Sequence, residues 1–200
     1  MNLAYFRRGL VLLLLVFGIA LPGWAGEPTD EIKQTTDKII SNLTNPSLKG
    51  SSKTAEREKL IRQAIDERFD WQEMARRSLA RYWDQRTDGE KKEFVRLYSD
   101  LLERTYMDKV EGYSGEKVIY EGESVDNGYA VVKGKIVTKK NTDIHVHYRL
   151  RREENKWLVY DVSIEGVSLV NNYRTQFNSI ILKSSYENLV KRLRERVEPK

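Results

Sequence analysis

Residues 157–177 constrain the fold most strongly. They read Trp-Leu-Val-Tyr-Asp-Val-Ser-Ile-Glu-Gly-Val-Ser-Leu-Val-Asn-Asn-Tyr-Arg-Thr-Gln-Phe. In the first half, Leu158, Tyr160, Val162 and Ile164 alternate with Trp157, Val159, Asp161 and Ser163, and both sets are largely apolar up to Asp161. That pattern predicts a strand covered on both faces. Gly166 breaks the run, and Ser168 is placed to cap a helix by accepting a bond from an early backbone N–H. Leu169, Tyr173, Phe177 and Ile180 then recur at spacings of four and three, one stripe of an amphipathic helix. A buried strand that turns through glycine into a helix folding back over it needs the remaining chain as cover.

The cover is legible in order. A helical stripe runs from Glu27 to Leu43 through Ile32, Ile39 and Ile40, and Asn45-Pro46 ends it. A second helix spans Thr54 to Ile65. Asp70-Trp71-Gln72-Glu73 and Thr87-Asp88-Gly89-Glu90 each have the spacing of a capping box, in which cap and acid satisfy each other's free N–H groups. The second opens the longest helix, with Phe94, Leu97, Tyr98, Leu101, Leu102, Thr105 and Tyr106 on one broad face. The period then switches to two. Strands are predicted over Lys117–Glu123, Tyr129–Thr138 and Asp143–Arg152, with a fourth from Trp157. Asn127-Gly128 marks a tight hairpin because both residues tolerate positive φ. In the third strand Ile144, Val146, Tyr148 and Leu150 face one way, and His145, His147, Arg149 and Arg151 the other. A polar break at Lys183-Ser184-Ser185 precedes a last helix carrying Leu189, Val190, Leu193 and Val197.

Helices, then an antiparallel meander, then helices describe an α+β domain. Strands of about ten residues are roughly 33 Å long. A long sheet of about four such strands curling around helices forms a cone with an apolar mouth, the logic of the nuclear-transport-factor-two-like fold. The 200 residues suit one domain.

The start of the chain addresses it elsewhere. Arg7 and Arg8 precede an apolar run from Leu10 to Leu21, followed by Pro22-Gly23-Trp24-Ala25. A basic start, a short apolar segment and small residues before Ala25 describe a secretory signal peptide cleaved after Ala25. The run falls short of the roughly 20 residues a spanning helix needs. The expected arrangement is a leader over 1–25 and one domain over 26–200, exported to the periplasm. The chain has no cysteine, so neither a disulfide nor a lipid anchor on cysteine is available. Removing the leader leaves 33 basic against 30 acidic side chains, a charge of +3. That mild charge, without a basic cluster interleaved with aromatics, argues against nucleic acid as a partner.

Several separated blocks closely resemble the MlaC, or toluene-tolerance, family. They are the 157–177 stretch, Phe69-Asp70 with Met74-Ala75, Leu79 to Trp83, the Phe94 to Tyr106 helix with its Leu101-Leu102-Glu103-Arg104-Thr105-Tyr106 end, and Tyr113-Ser114-Gly115-Glu116. The resemblance covers nearly all of the chain after the leader. It implies a periplasmic protein that binds phospholipid for an ABC-type lipid transport system and maintains outer-membrane lipid asymmetry; the chain itself is expected to be a monomer. It further implies an inner-membrane ABC transporter complex and an outer-membrane lipoprotein complex as partners. Phospholipid would be cargo, and no cofactor is implied. None of the blocks is a catalytic motif.

The candidate residues follow. Tyr98, Leu101, Leu102, Tyr106, Tyr173 and Phe177 on helices would line an acyl-chain cavity. Val132, Val146, Tyr148, Leu150, Tyr160, Val162, Ile164 and Val167 would line it from the sheet. The same residue types build a filled core, so the cavity assignment comes from the resemblance. Arg76, Arg77, Arg81 and Arg174 are candidates for a lipid head group or a docking partner, against a solvated helix face for the first three. Glu165 and Arg174 flank the glycine turn and are expected to pair. Asp161 beside Tyr160 allows a second reading, a cone-fold isomerase with Asp161 as general base. The plainer reading has Asp161 bonded to a backbone group or an arginine. A ligand-free interaction module with a solid core is the third. His145 and His147 lie two apart on one strand face, with no evident further ligand for a metal.

The leader gives the first prediction. N-terminal sequencing of exported protein is expected to start at Gly26; an intact leader retained in the inner membrane would show the processing assignment to be wrong.

Overall fold

The structure, a computed structural model, describes residues 28–139 and 142–198; the leader and its cleavage site lie outside them. Six helices form: α1 (Pro28–Thr44), α2 (Thr54–Asp66), α3 (Trp71–Leu79), α4 (Asp88–Glu111), α5 (Leu169–Lys183) and α6 (Tyr186–Val197). Between α4 and α5 runs an antiparallel sheet of β1 (Lys117–Asp126), β2 (Tyr129–Val137), β3 (Asp143–Glu153), β4 (Lys156–Ile164) and the short β5 (Val167–Ser168), in the order β1-β2-β3-β4-β5. The α+β meander is as expected, with two refinements. β1 runs three residues past Glu123, up to the Asn127-Gly128 turn, where both residues have positive φ (46° and 80°). Glu165 and Gly166 repeat that geometry (φ 49° and 79°), so the glycine makes a second tight hairpin and adds β5 before the helix begins.

The sheet curls without closing because two strands carry bulges, which bend a strand and raise its local twist. One lies in β1 between Tyr120 and Gly122. Gly134 sits opposite, where an added Cβ would come within 3.1 Å of the Ile119 carbonyl and press on that backbone. The other bulge has a larger consequence. Arg149 pairs with Asp161, but Leu150 pairs with Val159, leaving Tyr160 as the extra residue. A slip of one residue exchanges the faces of a strand. Val162 and Ile164 therefore share the inward face with Val159 and Trp157, and Leu158 and Tyr160 are not on it. The simple alternation expected across β4 fails at this point.

The helices close one side. Thr87 and Glu90 form the expected capping box at the start of α4: the Glu90 N–H donates to Thr87 Oγ1 at 3.3 Å, and the Thr87 N–H donates to Glu90 Oε2 at 2.8 Å. The Thr87 N–H and, next to it, the Thr87 hydroxyl both donate to Glu90 Oε2 and lower the pKa of that carboxyl. The Asp70 box forms only by half. Asp70 Oδ1 accepts from the Glu73 N–H at 2.9 Å, but the Asp70 N–H donates to the Val159 carbonyl, and Glu73 turns instead to Arg76 and Arg77. Arg68 and Asp70 thereby bracket Val159 on the free edge of β4.

The helical layer has an aromatic centre. Phe94 and Tyr98 of α4 meet Tyr173 and Phe177 of α5, with near-perpendicular ring contacts at 5.4–5.7 Å. Edge-to-face pairs of this kind add about 1 kcal/mol each beyond their burial. A second tie is polar. Glu31 of α1 pairs with Arg68 and accepts from the Trp157 N–H at 3.2 Å, while Arg68 donates to the Trp157 carbonyl at 2.8 Å. This largely buried group joins α1, the entry to α3 and β4, and burial lowers the Arg68 pKa.

Candidate functional site

Two features stand out, one on each side of β4. The first is the inward face of the sheet, where the register aligns side chains in rows. Ala130, Leu150 and Val159 form the first row; Val132, Tyr148 and Val162 the second; Gly134, Val146 and Ile164 with Tyr120 the third; Ile136 and Ile144 with Val118 the fourth. Cover falls along this series. In the first row Ala130, Leu150 and Val159 are buried, while Val125 beside them on the edge strand β1 is 52% exposed. In the second, Tyr148 is partly exposed; in the third, Tyr120 and Ile164 are; in the fourth, every member is. The layer between sheet and helices is thus tight at one end and loosens towards the other. Tyr106 of α4 is partly exposed on the helical side. Burial raises the pKa of the Tyr106, Tyr120 and Tyr148 hydroxyls, so these phenols stay neutral in a weakly polar setting. Along β2, β3 and β4 such a face accepts hydrocarbon; on β1 the register sets Glu123 beside Val132, where its carboxylate accepts from the Thr29 N–H at 2.8 Å.

The sequence-derived candidates divide accordingly. Val132, Val146, Tyr148, Leu150, Val162 and Ile164 all lie on the inward face. Tyr98, Leu101, Leu102, Tyr173 and Phe177 are buried, and Tyr98, Tyr173 and Phe177 pack ring against ring within the helical layer. Tyr160 and Val167 are corrections. The β4 bulge displaces Tyr160 to the other side, under the Arg77 guanidinium at 4.2 Å from its ring centre, and Val167 is 56% exposed on β5. Val118, Tyr120, Ile136 and Ile144 share this face but were not among the candidates, although the alternation of β3 already set Ile144 beside Val146; carrying the period of two outward from Val132 would have found Ile136.

The second feature is a polar cleft of about 970 Å³ on the opposite side of β4. It collects all four candidate arginines: Arg76 and Arg77 from the last turn of α3, Arg81 just beyond it, and Arg174 from α5. Arg149 of β3, read from sequence as a solvated strand face, joins them. Ala80 turns the chain between α3 and Arg81 with φ at 48°, a strained value for a residue with a Cβ. The expected Glu165–Arg174 pair is absent. Glu165 accepts from the His145 N–H across the sheet, and Arg174 donates to Asn171 one turn earlier in its helix. The hairpin at Glu165-Gly166 holds the acid beside β3, away from α5.

Asp161 forms the floor between the two features. It is 3% exposed, and both oxygens are engaged. Oδ1 accepts from the Val170 N–H at 3.1 Å, Oδ2 accepts from the Ser168 hydroxyl at 2.7 Å, and Arg149 lies at 3.4 Å. Ser168 in turn accepts from the Asn171 N–H at 3.0 Å, the predicted cap. Negative charge at a helix N-terminus meets the unpaired N–H groups there. This is the plainer of the two sequence readings, and it occupies the acid on which the isomerase reading depended. His145 and His147 lie on the outward face, with Glu121 at 3.9 Å from His145. Among the described residues no three His, Asp or Glu side chains gather as metal ligands. Nor is any described helix long and apolar enough to cross a membrane.

An open, curled α+β sheet with a loosening apolar face defines a binding protein for an apolar ligand. The chain belongs to the MlaC protein family, whose profile matches residues 33–195. It is similar to the intermembrane phospholipid transport system binding protein MlaC of Haemophilus influenzae, 18% identical over 169 residues that cover 82% of this chain and 79% of that protein. It is also similar in structure to a phospholipid-binding protein from Ralstonia solanacearum, solved in complex with a phospholipid. That match has a TM-score of 0.78 and 25% identity, and covers 86% of this chain and 97% of the other.

The role of Asp161 gives the second prediction. Asp161→Ala leaves the Val170 N–H and the Ser168 hydroxyl unpaired and is expected to cost about 3 kcal/mol of stability, read from the urea midpoint. A loss below about 0.5 kcal/mol, the level of an ordinary surface change, would show that this carboxylate does not hold the junction.

Proposed function

We propose that this protein is a phospholipid carrier that takes the acyl chains of its cargo between the inward face of the sheet and helices α4 and α5. The observation that supports this most is the fall in cover from the first row to Ile136 and Ile144, in a chain whose structural relative holds a phospholipid. The energetics favour enclosure. Burying hydrocarbon contributes about 0.8 kcal/mol per CH₂, so two acyl chains represent on the order of 20 kcal/mol. A carrier crossing water has to offset nearly all of that, and a shallow groove leaves much of each chain wet. The chains therefore enter the loose end, with the head group towards solvent.

The family and the leader support a finer reading. The protein works in the periplasm after cleavage near Ala25, as a monomer, between an outer-membrane lipoprotein complex and an inner-membrane ABC transporter complex. It performs no reaction of its own, and phospholipid is cargo in place of a cofactor.

Ile164→Glu tests the cavity. Ile164 is partly exposed, so the charge is tolerated by the fold once water enters, but a carboxylate against acyl chains costs several kcal/mol. The variant is expected to keep its circular dichroism spectrum and lose its bound lipid by mass spectrometry. Ile119→Glu, on the outward face at 41% exposure, is expected to keep both. Folded Ile164→Glu protein with full lipid content would remove this face from the binding site.

A further inference from the structure

The arginine cleft has no part in holding hydrocarbon. Strand β4 separates it from the apolar face: Arg149 and Asp161 are cross-strand partners on the outward side, and Tyr148 and Val162 are partners on the inward side. Five guanidinium groups line it against two carboxylates, Asp84 and Asp161. Asp161 is already engaged by α5. Arg76 and Arg77 share Glu73. Arg81 and Arg174 form no ion pair with any carboxylate among the described residues; Arg81 meets Tyr82 and Asn178, and Arg174 meets Asn171. Two cations that line one cleft without an ion pair, one just past a strained turn and one on a helix, favour an anionic partner.

The size and lining say which kind. About 970 Å³ is far more than one phosphate occupies and lies at the upper end of the range for bound ligands. Asn171, Asn172 and Thr175 also face the cleft. Carboxamides offer one acceptor and two donors, matching a peptide group, and planar guanidinium groups match carboxylates two bonds at a time. We propose that this cleft docks an extended acidic segment of a partner protein, with Arg81 and Arg174 as the two principal carboxylate contacts. The proposal rests on the carrier reading, since a carrier hands its cargo to another protein, and its test reads docking and cargo separately.

The probe is a short labelled peptide alternating glutamate with serine, titrated by fluorescence anisotropy into the full mature protein. The expected result is binding that weakens as salt rises. The Arg81→Glu/Arg174→Glu variant is expected to lose about tenfold or more in affinity, because reversed rim charges repel the segment. Arg192→Glu, an exposed change on α6 away from the cleft, is expected to bind as the wild type does. Bound phospholipid should be equal in all three proteins. Equal peptide affinity in the double reversal would overturn the proposal. So would displacement of the peptide by inorganic phosphate or by vesicles of phosphatidylglycerol, or loss of lipid from the folded double variant, each of which makes the cleft a head-group site. Wild-type protein that binds the peptide as expected but carries no lipid would leave the docking surface standing and remove the carrier reading.

Discussion

One buried carboxylate organises the junction on which the rest depends. Asp161 holds the first turn of α5 through Val170 and Ser168, and so fixes the direction in which that helix leaves the sheet. That direction brings Tyr173 and Phe177 onto Tyr98 and Phe94, which joins α5 to α4 in the helical layer. The same carboxylate faces the outward side of β4 only because Tyr160 is an extra residue there. The bulge and the acid act together: without the slip, Asp161 would point into the apolar layer, where a charge without partners is costly.

The division of labour between the faces of β4 follows from that slip. Inward, the apolar rows lose cover towards Ile136 and Ile144, leaving hydrocarbon-compatible surface beside helices already packed among themselves. Outward, a set of arginines surrounds the helix start. The proposed cargo face and the proposed docking cleft thus lie on opposite sides of one strand, whose position the Asp161 bonds and the Arg68–Val159 pairing both fix. A disturbance on one side has a short physical route to the other through β4 and α5.

Much of this was legible in the residues. The Ser168 cap, the Thr87 box and the Asn127-Gly128 turn each follow from short-range chemistry, in which a few neighbouring atoms decide the outcome. The faces of β3 were legible because its alternation is unbroken. Those of β4 were not, because a bulge depends on how two strands match over their length, and Tyr160 looks apolar and inward by period alone. Glu165 and Arg174 looked like partners by proximity in sequence, but a two-residue hairpin sends the acid to His145. The gathering of Arg76, Arg77, Arg81, Arg149 and Arg174 was hidden for a similar reason, since three separate stretches of chain build it. Whether apolar stripes fill a core or line a space is a property of the packing, and only the loss of cover along the sheet distinguishes them.

The central claim is that the loose end of this sheet holds phospholipid. Native mass spectrometry of the mature protein, purified from the periplasm without detergent, tests it most directly. The account predicts an added mass that dissociates on collisional activation and is identified as phospholipid after organic extraction. Folded protein that carries no such mass, and takes up none from phospholipid vesicles, would contradict it.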